Sequence, residues 1–335
     1  MKTNIFSARS PLSIASLVLS WTAMSLGGCA VPTDDQGAAG PRPEVVAEAQ
    51  QAVSFPGSSS TTLGNTTTYE PSGLALLNGT LYMASDKDPV TNTGKIAKYN
   101  ASTNQWSTEY SGAYDFESLT VASGQLMVGV EGSSSASGSS NNAKIYKFDA
   151  VNKTLPQSWR LNAVSGMEAM TFVPEAYTPY GQANTTAHPS AFDGYFFIAT
   201  QNDPGLITVY RLDSGSSTAT WIDEYTIDIT MQASDMSFAN GCLYVLFDEN
   251  TTSDQLAVYI INTNPSNKML AYQKQYDLPS VGSGTPSDAN YEGITFNGQT
   301  IYLARDDNNS NANNFVKQYS NTIIYPQTVL PPLSW

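Results

Sequence analysis

The chain has 335 residues, room for one large domain or two ordinary ones, and 13% of them are charged. Gly, Ser, Thr and Asn are abundant and Tyr reaches 19, a mix that suits short strands joined by turns and excludes a coiled coil. The formal charge of −14 excludes a basic face for nucleic acid, and one histidine, His188, excludes a multi-histidine metal site.

At the N-terminus Lys2 and Arg9 form a basic region ahead of an apolar stretch from Pro11 to Leu26, the pattern of a secretory signal. The following Leu26-Gly27-Gly28-Cys29 resembles the lipobox of bacterial lipoproteins. That resemblance implies cleavage before Cys29, a lipid on that cysteine, and an address in the cell envelope, at the outer rather than the inner membrane. Without Lys2 and Arg9 the basic count falls from 15 to 13 against 29 acidic residues. Residues 29–52 carry Pro, Gly, Ala, Glu and Gln with no strand period and read as a flexible tether to a domain over 53–335. Cys242 is then the one other cysteine, so no internal disulfide is expected. Its apolar surroundings, Gly-Cys-Leu-Tyr-Val-Leu-Phe, predict a small buried hydrophobe.

Five segments repeat one unit: Tyr69–Asp86, Phe116–Glu131, Gly166–Thr200 with an insertion, Ser234–Asp248 and Tyr291–Asp306. Each reads as a strand, a tight turn and a second strand. Asn-Gly at 78–79, 240–241 and 297–298 is the dipeptide of a two-residue hairpin whose central residues both need positive φ. Third strands follow at Lys95–Tyr99, Ala143–Phe148, Leu206–Leu212, Leu256–Ile261 and Phe315–Tyr319, with outer candidates at Trp106–Tyr110 and Trp221–Ile227. Four strands in roughly 50 residues is the period of a β-propeller blade. The prediction is an all-β propeller of five four-stranded antiparallel blades, or six if 53–68 conceals another. Either that stretch or Ile323–Leu330 closes the ring.

An acidic residue opens each unit: Glu70, Glu117, Glu168, Asp235 and Glu292. A second oxygen-bearing residue ends each second strand: Asp86, Glu131, Asn202 or Asp203, Asp248 and Asp306. The two sets lie 16, 14, 13 and 14 residues apart in the four units without the long insertion, so both should face one mouth of the channel. Carboxylates that close together raise one another's pKa unless a cation intervenes, and an irregular oxygen cage suits Ca²⁺. Alternatively, each acid accepts backbone N–H groups and joins neighbouring blades.

Glu-Pro-Ser-Gly-Leu at 70–74, Leu-Tyr-Met-Ala-Ser-Asp at 81–86 and Tyr-Glu-Gly-Ile-Thr-Phe at 291–296 resemble the SdiA-regulated and phytase-like (esterase-like) propeller families of bacteria. The likeness consists of short motifs across 65–320. It implies a five- or six-bladed ring with calcium near the channel, and Glu70, Glu117, Glu168 and Glu292 match the acidic motif position. Asp235 departs conservatively, and the glycine is missing after Glu117 and Glu168. Calcium-dependent phytases also need a basic patch, whereas Arg305 alone is basic beside the expected mouth.

Two functions follow. One is a tethered monomeric binding module for a ligand or an envelope protein. The other is a calcium-dependent hydrolase of phosphoester or lactone substrates, with a metal-activated water and a ring carboxylate as base. Arg305 and His188, the latter in the insertion as a lid residue, are its candidate ligand contacts.

Overall fold

The computed structural model describes residues 53–324 except 58, 89, 133–141, 163, 182–183, 187–188, 201–204, 228–230, 249–253, 265–268, 280–288, 308–313, 321 and 323. The residues expected to form the signal, lipobox and tether, together with His188, Asn202 and Asp203, lie outside the described residues.

The fold is a five-bladed β-propeller. Blade 1 comprises β3 (Pro71–Leu77), β4 (Thr80–Asp88), β5 (Thr93–Asn100) and β6 (Gln105–Gly112). Blade 2 comprises β7 (Phe116–Ala122), β8 (Gln125–Val130), β9 (Lys144–Asp149) and β10 (Thr154–Arg160). Blade 3 follows with β11 (Met167–Pro174), β12 (Gly194–Thr200), β13 (Leu206–Leu212) and β14 (Ala219–Thr226). Blade 4 holds β15 (Gln232–Ala239), β16 (Cys242–Asp248), β17 (Gln255–Ile261) and β18 (Leu270–Asp277). Blade 5 holds β19 (Ala289–Asn297), β20 (Thr300–Asp307) and β21 (Phe315–Tyr319). The inner strands β3, β7, β11, β15 and β19 pack side by side, with β19 returning to β3.

The stretch 53–68 supplies the closure and no sixth blade. β1 (Val53–Ser54) runs parallel to β18, and β2 (Thr61–Thr62) lies antiparallel to β21 as the fourth strand of blade 5. The arm is fastened on both sides. Phe55 packs edge-on against Tyr276 and Tyr319, and Trp106 Nε1 of blade 1 donates to the Leu63 carbonyl at 2.8 Å. A strand from the chain's start thus covers the open edge of its last blade.

Strand alternation sends neighbouring residues into different blade interfaces. Phe196 and Ile198 of β12 enter the blade 2–blade 3 core, while Phe197 and Ala199 enter the blade 3–blade 4 core. All of β12 is therefore buried. Cys242 is 1% exposed among apolar neighbours, and burial pushes its thiol up to about 11.

The inner hairpins of blades 1, 2 and 4 turn through Asn78-Gly79, Ser123-Gly124 and Asn240-Gly241, with both residues at positive φ. Blade 5 departs from the expected turn. Asn297 pairs with Thr300, so its loop is Gly298-Gln299, with Gly298 at φ 58°. The insertion of blade 3 also leaves from a hairpin turn, the end of the inner strands away from the acids. There Tyr177 packs on Phe238 of blade 4, and Tyr180, bonded to Tyr225 of its own blade, reaches Met269 Sδ at 3.2 Å, so the described part of the insertion braces blade 3 on blade 4.

Candidate functional site

Each inner hairpin carries a bulge at the same place. In blade 1 Pro71 pairs with Ser85 and Gly73 with Ala84, leaving Ser72 unpaired. The corresponding bulge residues are Glu117, Glu168, Ser234 and Glu292. A bulge inserts one residue and re-aims its side chain, here toward the channel mouth. The ladders therefore group Glu117, Glu168 and Glu292 as the sequence does, and separate the other two acids from them. Glu70 lies two residues before its bulge, and Asp235 one residue after.

The position of Glu70 is shared by Asp115, Gln232 and Asn290. The Glu70 carbonyl accepts the Asp86 N–H at 2.8 Å and the Asp115 carbonyl the Glu131 N–H at 3.0 Å, while Gln232 opposes Asp248 and Asn290 opposes Asp306. All four pairs are 16 residues apart. Sequence reasoning missed Asp115. Its signal was the uneven spacing of the chosen acids, which becomes uniform only once Asp115, Gln232 and Asn290 replace Glu117, Asp235 and Glu292.

These side chains line a cavity of 280 Å³: Ser72, Asp86, Asp115, Glu117, Glu131, Glu168, Gln232, Ser234, Asn290, Glu292 and Asp306. Carboxylate oxygens of Asp86, Asp115 and Glu117 all lie within 4.8 Å of one another. Glu117 is 9% exposed and accepts no hydrogen bond among the described residues. Burial raises its pKa well above the ordinary value, reinforced by Asp86, Glu168, Asp115 and Glu292. Burial also pushes Asp86 up to about 9, helped by the hydrogen bond and charge of Asp115. Glu131 rises through burial and the Asp115 charge. A cation approaches the trio, with Lys87 Nζ 3.6 Å from Asp115 Oδ2.

The remaining sequence candidates stand elsewhere. Asp235 is fully buried and joins blades, its Oδ2 accepting the Ile294 N–H of blade 5 at 2.7 Å. Its part is the blade-joining alternative, and Ser234 takes its place at the cavity. Glu70 does not line the cavity, although its charge contributes to raising Asp86. Arg305 is buried over the Phe315 ring, 5.7 Å from its centroid, and is not a lining residue. Asp248 opposes Gln232 through the backbone, and its side chain lies outside the described set.

The fold and its acidic mouth define a five-bladed propeller with an oxygen-lined cavity at one end. No family model and no curated protein matches the chain. Among solved structures it is similar to TolB from Acinetobacter baumannii, with 14% identity over 73% of this chain and a TM-score of 0.35. The chain spans 53% of that TolB chain. It is also similar to an exo-beta-1,3-galactanase from Phanerochaete chrysosporium, with 13% identity, 82% of this chain and 67% of that one covered, and a TM-score of 0.48.

Proposed function

We propose that this chain is a lipid-anchored envelope protein whose propeller binds a divalent cation, calcium by its donor set, and holds a ligand at that mouth. The observation that carries the reading is Glu117. A carboxylate this buried, with no hydrogen bond among the described residues and with Asp86 and Asp115 beside it, is unfavourable unless protonated or met by a cation. The donors are all oxygens and irregularly disposed, which fits calcium better than the octahedral demands of magnesium or the nitrogen and sulfur preferences of zinc. Asp86, Asp115 and Glu117 would hold the ion, with Glu131, Glu168, Glu292 and Asp306 as the surrounding wall. A calcium there would supply a positive centre able to take oxygen atoms of a ligand. The anchor is Cys29, and the motif likeness to the SdiA-regulated and phytase-like propellers agrees with calcium at the channel.

The test is metal analysis of the full chain after dialysis against trace calcium, with melting curves in chelator, calcium and spermidine. Retention of about one or more calcium ions per chain and a higher melting temperature in calcium are expected. No retained metal with no calcium-dependent shift, or a larger shift with spermidine than with calcium, would refute the reading.

A further inference from the structure

The wall of the cavity also selects what could join the cation. Besides Asp86, Asp115 and Glu117, four carboxylates line it: Glu131, Glu168, Glu292 and Asp306. One dication does not balance seven lining carboxylates, and among the described residues Lys87 beside Asp115 adds a positive charge. The neutral lining residues add acceptors as well. Ser72 donates its hydroxyl proton to the Phe116 carbonyl of the next blade, and Ser234 donates to the Tyr291 carbonyl at 2.7 Å. Both therefore turn lone pairs to the cavity, leaving the amides of Gln232 and Asn290 as neutral N–H donors among its described lining.

A ligand complementary to this wall brings many donors and no negative charge. Phosphate and carboxylate groups bring the reverse and would meet like charge on every side. A hydroxyl group meets both demands, since its oxygen can coordinate calcium while its proton goes to a carboxylate. Two neighbouring hydroxyls could replace two waters of a six- to eight-coordinate ion without adding charge. The volume of 280 Å³ lies at the small end of ligand sites, enough for one sugar ring or a short polyol.

We propose that the acidic mouth binds a neutral polyhydroxylated ligand, a saccharide unit or polyol, by chelation of adjacent hydroxyls to the bound calcium. This rests on the calcium reading above. Glu168 and Glu292 are assigned as acceptors for the ligand's hydroxyl protons, outside the cation's own three ligands.

The experiment uses the full chain in calorimetric titration with mannose, galactose, glucose and glycerol, and with inorganic phosphate, each in calcium and in chelator. At least one neutral probe should bind in calcium and not in chelator, and more tightly than phosphate. The variant carrying Glu168→Gln and Glu292→Gln should still load calcium when it is saturating yet bind that probe about tenfold more weakly. Calcium binding without any neutral-probe binding, or tighter binding of phosphate, overturns the polyol assignment while sparing the cation site. A double variant that binds the probe as wild type does removes the roles of Glu168 and Glu292. Absence of calcium binding overturns the cation reading and this proposal with it.

Discussion

Calcium entering this mouth should displace a proton, and the number released follows from the geometry. Asp86, Asp115 and Glu117 present oxygens within 4.8 Å of one another. At an effective dielectric of ~20, each ionised pair at that distance repels by about 3.5 kcal/mol. Holding one proton at pH 7 on a carboxyl of ordinary value 3.8 costs about 4 kcal/mol. The fully ionised trio therefore stands at about 10 kcal/mol and the singly protonated trio at about 8, before burial adds its own preference for the neutral form. Two protons would leave no repelling pair and cost about 8–9 kcal/mol, so the metal-free site holds at least one proton at neutral pH, consistent with Asp86 pushed up to about 9 and Glu117 raised beside it. Calcium should release at least one proton per ion, so its affinity should rise at least tenfold per pH unit between roughly pH 5 and 9.

The perturbation is Glu117→Gln, which keeps size and deletes one charge. Burial and the Asp115 hydrogen bond still hold the Asp86 proton, and what goes is the second carboxyl whose pKa burial and its neighbours raise. Proton release should fall below the wild-type count toward the one proton of Asp86, and the pH dependence of affinity should flatten. Titration calorimetry in two buffers of different ionisation enthalpy counts the protons. Calcium affinity independent of pH in the wild type, or unchanged proton release in the variant, would refute the electrostatic account.

Stability carries the same sign. Raised folded-state pKa values at Asp86, Glu117 and Glu131 mean that the metal-free chain binds more protons folded than unfolded. Their contribution is complete below about pH 4 and is lost as pH rises toward 9, so melting in chelator should fall over that window and calcium should remove the trend. Calcium at ~100 times its dissociation constant adds about 2.7 kcal/mol, or about 5 °C for a domain of about 280 residues. Asp235→Ala leaves the buried Ile294 N–H without its acceptor and should destabilise by about 1–3 kcal/mol in urea unfolding, while Asp235→Asn keeps an acceptor and changes less. Gly73→Ala would place its Cβ 2.8 Å from the Leu119 nitrogen and Ser118 Cα of the next blade, costing about 1–3 kcal/mol by the same measurement. Deleting residues up to Thr62 should lower the melting temperature by uncovering blade 5 and removing Phe55. Cys29→Ser should abolish lipid labelling and release the chain from membranes, and a variant that still labels would refute the anchor.

Much of this protein follows from local chemistry. Asn78-Gly79 and Asn240-Gly241 specify two-residue turns because few other residue pairs adopt positive φ twice in succession. Alternating apolar residues then set the hairpins, and five such hairpins at blade spacing imply a ring. Asp86, Glu131 and Asp306 were legible as one set because each ends a second strand beyond the same short hairpin, and the structure brings all three to one cavity.

Tertiary structure decided which acids join them. A bulge adds one residue that pairs with nothing, and sequence alone did not reveal whether it fell on Ser234 or Asp235, or on Ser72 or Glu70. The strand period is two, so a one-residue difference turns a side chain from the cavity into the interface between blades. That is why Asp235 accepts the Ile294 N–H while Ser234 faces the mouth, and why Asp115 enters beside Asp86. Closure was likewise a tertiary choice. The fourth edge of blade 5 could be completed from either end of the chain, and β2 occupies it with Phe55 packed on Tyr276 and Tyr319 and Leu63 bonded to Trp106. Sequence period determines hairpins because neighbours along the chain make them. The site and the seam are contacts between blades, which only the closed ring brings together.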